Sequence, residues 1–179
     1  ITNRPHCKVG PIFILQELRM KNFRKYYDLF LQYLMFIMMI ALAAVVVLGV
    51  IYRWSGNALI WYDEVASVQL AWLTYYGSAY AALNGAHIGV PSILKSFPLG
   101  IRKGLFVLSK VVVYGFFALL TFYGIIVMKL IYGETMTTIE WVSQSFVQSV
   151  IPVGSLLFIV SETLRLKEDY ADIMKEKQL

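Results

Sequence analysis

Residues 29–52 of this 179-residue chain read LFLQYLMFIMMIALAAVVVLGVIY, which is twenty-four consecutive positions without a charged side chain. At about 1.5 Å of rise per residue, roughly 20 helical residues cross the hydrocarbon core of a bilayer, which is about 30 Å thick. Lipid offers the backbone no hydrogen-bond partners, so such a stretch crosses as an α-helix. This segment therefore predicts a membrane-spanning helix and decides the class of fold.

Three more stretches have the same character, at residues 65–86, 104–128 and 141–161. The third of the four contains Lys110 near its start, where a long side chain can extend its ammonium group toward the interface. The whole chain is 59% hydrophobic and 15% charged, with a mean hydropathy of +0.65, which a water-soluble domain does not reach. We predict an all-α membrane protein with four transmembrane helices.

Lysine and arginine fall almost entirely on alternate connections between these stretches. Of the sixteen, only Arg53 and Lys129 adjoin the first and third connections. Cytoplasmic segments are enriched in these residues, so the charges predict that both termini are cytoplasmic. Aromatic residues that favour the membrane interface flank the opposite ends: Tyr52, Trp54, Trp61, Tyr62, Tyr132 and Trp141. Although the pI is about 9.3, no basic run lies on a soluble module, and we expect no nucleic-acid partner.

The predicted organisation has three parts. Residues 1–27 form a cytoplasmic segment, residues 28–161 the four-helix transmembrane domain, and residues 162–179 a cytoplasmic tail. Apolar residues recur near helical spacing between Leu15 and Phe30, with cations largely in other directions. This pattern predicts an amphipathic helix in the membrane interface, with its cations facing anionic phospholipids. The alternative is a solvated extension of the first span.

The second predicted span has recognisable ends and a row of small residues. Asp63 and Glu64 stand at its start, where carboxylates favour the positive end of the helix dipole. Asn84-Gly85 is a plausible C-cap. Small side chains allow close approach of a second helix, within this chain or in a partner. The small residues of this span are Gly77, Ala81 and Gly85, together with Ser67, Ala71, Ser78 and Ala82.

The fourth predicted span is the most polar. Thr137 and Glu140 have the spacing of a capping box at its start, and Pro152 is expected to kink it. Ser145, Gln148, Ser155 and Glu162 fall near one helical face, which must turn toward protein or water. This face is either a substrate path or a set of polar contacts between helices.

Patterns typical of membrane enzymes are missing from the sequence. The two histidines, His6 and His87, are not mid-membrane, and Cys7 is a lone cysteine, so we expect no haem, metal or catalytic centre. No acidic residue lies deep in a span, where a proton-coupled exporter would carry one. Continuous spans also lack the opposed half-helices of a solute site. The chain is not expected to be an enzyme or to transport a solute alone.

One part of the sequence resembles a known family. Arg53 is followed by Trp61-Tyr62-Asp63-Glu64, then Gly77, then NGAHIGV at residues 84–90. This order, with four spans and cytoplasmic termini, is similar to the small membrane subunit of tripartite ATP-independent periplasmic (TRAP) transporters of the bacterial inner membrane.

The resemblance implies a scaffold function. In such systems a periplasmic binding protein captures a solute, commonly an organic acid, and a large membrane subunit moves it inward by a sodium-driven elevator motion. The small subunit would anchor the large one and hold no cofactor, with sodium ions bound in the large subunit. Expected structural or subunit-interface positions are Arg53, Trp61, Glu64, Gly77, Ala81, Gly85, His87, Ile88 and Gln148. The alternatives are an autonomous four-helix channel or exporter and an accessory chain of a membrane enzyme.

Overall fold

The computed structural model describes residues 11–85 and 98–175, and within these ranges the chain is built from helices. One isolated bridge pairs Thr135 with Ser143 in the connection before the last two helices. We number the five helices in chain order: α1 (Pro11–Trp54), α2 (Tyr62–Asn84), α3 (Leu99–Leu130), α4 (Gln144–Gln148) and α5 (Val150–Lys175).

The first helix runs without interruption for 44 residues. No proline follows Pro11 within it, so nothing removes a backbone hydrogen bond between the amphipathic segment and the first predicted span. Tyr27 and Leu31 are buried in the bundle core, and Leu31 is 0% exposed. One continuous helix therefore contains both this segment and the first predicted span, and the interfacial position of the segment stays a prediction.

Helices α1 and α2 form an antiparallel pair. Near the connection between them, Gly49 lies against the ring of Tyr62, with no room for a side chain at position 49. At the other end, the Asn84 amide donates to Asp28 Oδ1 at 3.4 Å. Residues 55–61 join the two helices, and this connection begins with a turn at Ser55 and Gly56.

Helix α5 packs between α2 and α3. It runs parallel to α2 and antiparallel to α3, and the rings of Phe117 on α3 and Phe158 on α5 stack at 3.7 Å between centroids. Two glycines allow close approach: a Cβ at Gly154 would lie 2.7 Å from Tyr75 Cβ, and one at Gly124 would lie 2.9 Å from Pro152 Cδ. The buried core consists of Tyr27, Leu31, Ala79, Ala82, Leu83 and Phe158.

Among residues 11–85 and 98–175, three helical stretches are long and apolar enough to cross a membrane: Asn22–Trp54, Gly100–Leu130 and Gln144–Ala171, the last of which contains α4 and most of α5. In the most apolar 18 residues of each stretch, 6% are buried within this chain in the first two stretches and 39% in the third. This difference identifies α5 as the central helix. Helix α2 has 23 residues, or about 34 Å at 1.5 Å per residue, but is less apolar and does not meet the same criterion. The count of four spans and the position of the termini therefore stay predictions.

The fourth predicted span differs from the observed helices. It begins at Gln144 rather than 141, is interrupted at Ser149, and then continues without a break to Lys175. Pro152 explains the interruption, since its nitrogen has no hydrogen to donate to the carbonyl four residues earlier. The predicted capping box does not form, because residues 134–144 fold as a hairpin and Ser143 takes the N-cap position.

Candidate functional sites at the two ends of the bundle

The polar side chains concentrate at two ends of the bundle. We call the end with residues 55–61 and 131–143 the loop end, and the opposite end, where α2 stops at Asn84, the terminal end. At the terminal end, six charged side chains from three helices form the terminal cluster: Arg24, Lys110, Glu162, Arg165, Glu168 and Asp169.

Lys110 joins α3 to α5 within this cluster. Its ammonium lies 2.5 Å from Glu162 Oε1 and 2.6 Å from Asp169 Oδ2. Asp169 also accepts from Arg165 Nε at 2.8 Å. Glu162 is only 5% exposed, and a buried carboxylate is costly unless it is paired and hydrogen-bonded. Lys110 therefore pairs across the helix interface, where the sequence suggested extension toward the membrane surface.

Two arginines converge on the last turn of α2. Arg165 Nη1 and Arg24 Nη2 lie 3.3 and 3.4 Å from the carbonyl oxygen of Leu83. The final carbonyls of a helix have no partners inside it and form the negative end of its dipole, so cations stabilise them. Arg24 is also paired with Glu168. These contacts connect α1, α2 and α5.

Gly85 makes this arrangement possible. It has φ 68°, a left-handed conformation that favours glycine, and its N–H bonds back to the last turn of α2. This confirms the predicted C-cap. The guanidinium of Arg165 also occupies the space that a side chain at position 85 would need. His87 and Ile88 lie outside the described residues, so their predicted contribution stays a prediction.

A buried hydroxyl adds a further contact between α1 and α5. The Tyr27 hydroxyl lies 2.7 Å from the carbonyl oxygen of Leu157 and 3.1 Å from Ser161 Oγ. Ser161 is fully buried. Polar bonds between helices are effective in an apolar surrounding, because unpaired groups find no water there.

At the loop end, the Glu64 side chain on α2 binds the hairpin at residues 134–144, in addition to its predicted place at the start of its own helix. Its two carboxylate oxygens accept the backbone N–H groups of Thr137, at 3.0 Å, and Thr138, at 2.8 Å, and the Thr138 hydroxyl donates as well. We call this contact the Glu64 clasp. Glu64 precedes the predicted span at 65–86. The Thr138 hydroxyl and the two backbone N–H groups lower the pKa of its carboxyl below the usual value.

Two more side chains fix the segment around the helix interruption. Trp72 Nε1 on α2 donates to the Val147 carbonyl at 3.0 Å. Ser145 Oγ lies 3.2 Å from the Met128 carbonyl oxygen and 3.1 Å from that of Ile131, so its single hydrogen is shared between two carbonyls at the end of α3. Trp72 was not among the positions predicted from the sequence, although an indole N–H in an apolar stretch usually finds an acceptor and could have indicated it.

The predicted row of small residues only partly contacts other helices of this chain, and its contact with a partner stays a prediction. The fully buried small residues of α2 are Ala79 and Ala82, whereas Ala81 is half-buried. A Cβ at Gly77 would meet Met35 Cε at 3.4 Å, an ordinary contact. Within this chain the close approaches are at Gly85, which belongs to the row, at Gly49, and at the two glycines facing Tyr75 and Pro152.

The remaining predicted positions lie at the loop end. Arg53 is exposed in the last turn of α1, and Trp61 is 38% exposed immediately before α2. Gln148 is half-buried and ends α4 next to the interruption. The structure does not bring these residues into one cluster. Among residues 11–85 and 98–175, no group of three or more His, Cys, Asp or Glu could hold a metal ion.

These features define a helical membrane protein whose helices are joined by polar contacts at both ends. Residues 42–171 match the family model described as "Tripartite ATP-independent periplasmic transporters, DctQ component". Since the match spans more than half of the chain, the chain belongs to the DctQ component family of TRAP transporters. A search of curated proteins finds no match. The Glu64 clasp and all of the terminal cluster except Arg24 lie inside the matched region.

Proposed function

We propose that this chain is the stationary small membrane subunit of a sodium-driven TRAP transporter. It supports a large elevator-type membrane subunit during uptake of an organic acid that a periplasmic binding protein delivers. The chain lies in the bacterial inner membrane with both termini in the cytoplasm. The family match carries the assignment to a TRAP transporter component.

The terminal cluster supports a stationary role. A frame for a moving partner must resist sliding of its own helices, and charged contacts with defined partners oppose such sliding. Lys110 connects α3 to α5, Arg165 connects α5 to α2, and Arg24 connects α1 to both. Removing one member of a buried ion pair costs roughly 3–5 kcal/mol, because the other charge stays buried and unpaired. These charges are therefore engaged in joining helices.

The exposed surfaces of α1 and α3 support a partner in the membrane. Phe36 and Ile40 on α1, and Phe116 and Leu119 on α3, are each more than half exposed. Such side chains contact lipid tails or another apolar helix in a bilayer, since neither offers polar groups. We propose that these surfaces are shared between phospholipids and the large subunit, with Arg53, Trp61 and Gln148 as loop-end contacts.

Co-purification and vesicle uptake test this function together. The large subunit, expressed with and without this chain, is reconstituted with the binding protein and an inward sodium gradient. We expect a stable complex of the two membrane chains, and uptake only when this chain is present. A stable homo-oligomer of this chain that moves solute without a larger partner would contradict the proposal.

A further inference from the structure

The structure points to a hinged cap at the loop end, and we propose that the Glu64 clasp is the latch that holds it closed. The cap is the segment 131–149, which contains the hairpin and α4. Its hinge is the interruption at Ser149, between α4 and α5.

The hairpin part of the cap holds itself together through backbone bonds. The Met136 N–H donates to the Val142 carbonyl at 3.0 Å, and the Gln144 N–H donates to the Glu134 carbonyl at 2.9 Å. A segment with its own backbone hydrogen bonds can move as one body, without first losing its internal structure.

Both junctions of the cap suit a hinge. Gly133, after α3, has φ 97° and open space around it. At Ser149 the backbone N–H bonds to the Phe146 carbonyl, three residues back, in place of a regular α-helical bond. Pro152 donates no hydrogen bond to the carbonyl of Gln148. The regular hydrogen-bond pattern is thus weakened where α4 meets α5, which is a physical cause of bending.

Side-chain hydrogen bonds therefore hold the cap against the helices. Of the side chains that make them, Glu64, Trp72 and Ser145, only Glu64 is charged. Trp72 and Ser145 each contribute neutral bonds to backbone carbonyls. Glu64 accepts three bonds from two consecutive residues in the loop of the hairpin, Thr137 and Thr138. Bonds to an ionised acceptor are roughly twice as strong as neutral ones, and consecutive N–H groups form a concave anion site. Glu64 occupies that site as an internal anion.

Hydrogen exchange in the assembled complex, or in the full chain in nanodiscs, tests the latch. Glu64→Ala is compared with the parent and with Asp63→Ala, a matched control that removes the neighbouring exposed carboxylate. We expect amides in peptides covering 134–144 to exchange at least about tenfold faster in Glu64→Ala, because the hairpin loop loses its charged acceptor. Peptides of α5 beyond Pro152, and all peptides of Asp63→Ala, should exchange as in the parent.

A second variant separates the charge from the size of the side chain. Glu64→Gln keeps the shape but replaces one acceptor oxygen with an NH₂ group that faces an N–H donor, so we expect the same faster exchange. Protection of 134–144 equal to that of the parent in both variants would overturn the latch. Faster exchange that extends equally through α5 would overturn the hinge at Ser149, since the cap would not move separately.

Discussion

Lys110 on α3 and Glu162 on α5 form an ion pair with 2.5 Å between Nζ and Oε1, and both side chains are largely buried. They are 52 residues apart in the chain and join two helices that sequence alone does not place side by side. Asp169 shares the same ammonium, so the charge of Lys110 is balanced by two carboxylates.

This pair predicts an asymmetric mutational result. Lys110→Met leaves Glu162 buried without its cation and should destabilise the chain by about 3 kcal/mol. Adding Glu162→Met should restore about half of that loss, because no unpaired carboxylate remains. Thermal unfolding in one detergent measures both. If the double variant is less stable than Lys110→Met by a further 3 kcal/mol or so, the two residues do not act as a pair.

Substitution of Gly85 should destabilise the chain more than substitution of Gly133. Both glycines have positive φ, but only Gly85 has a side chain packed against it. Gly85→Ala forces a left-handed alanine and also displaces the Arg165 guanidinium from the Leu83 carbonyl. Gly133→Ala, at φ 97° with nothing within 4 Å, has only the backbone strain of about 1 kcal/mol. We expect Gly85→Ala to lower the midpoint of thermal unfolding about twice as far. Equal shifts in the two variants would mean that the contact between Arg165 and the Leu83 carbonyl does not require a glycine at position 85.

Close packing of α2 on α5 should depend on Gly154 rather than on Gly77. An added methyl at Gly154 would lie 2.7 Å from Tyr75 Cβ, an atom next to the backbone that cannot move aside easily. Overpacking of this kind costs about 1–3 kcal/mol. Gly77→Ala makes an ordinary contact at 3.4 Å and should be nearly neutral. Unfolding measurements on both variants compare the two surfaces, and a larger loss of stability in Gly77→Ala than in Gly154→Ala would contradict this expectation.

The Glu64 clasp should be stable to mild acid. The bonds from Thr138 and Thr137 lower the pKa of Glu64 from its usual 4.5, so the folded form is the stronger acid. Its stabilisation is fully present above pH 4.5 and is lost as the pH falls through the lower folded pKa. Spin labels at positions 57 and 140, in a Cys7→Ser background, report the distance between the turn and the hairpin.

We expect this distance to stay narrowly distributed from pH 7 down to about 4.5 in the parent, and to be broad throughout in Glu64→Gln. Asp63 and Glu134 are the other carboxylates of the loop end in the labelled chain, where position 140 carries a label, and their replacement by amides serves as the control. Broadening in the parent between pH 6 and 5 would show that Glu64 is not held as an anion.

Local signals in the sequence predicted those features that depend on neighbouring residues. The charge-free stretch at 29–52 lies inside α1, Gly85 caps α2, and Pro152 explains an interrupted helix. The capping box at Thr137 failed because its backbone donors bind Glu64, more than 70 residues earlier. Local spacing cannot reveal such a competitor.

The pairing inside the terminal cluster was equally hidden. Lys110 and Glu162 each read as residues near the end of a span, and nothing in their own segments identifies the partner. The register between α3 and α5 fixes it, and that register depends on contacts such as the stacked rings of Phe117 and Phe158. Tertiary packing therefore determined the part of the site that sequence analysis missed.

The central claim is that this chain supports transport without binding the solute or sodium, and uptake by the reconstituted complex tests it most directly. Gln148, half-buried beside the helix interruption, and Ser155, fully buried on α5, are the most site-like polar positions. In Gln148→Ala and Ser155→Ala we expect changes in assembly or in the maximal rate, with solute preference and the dependence of uptake on sodium as in the parent. A shift in solute preference or in sodium stoichiometry from either variant would place the transport path through this chain and contradict the account.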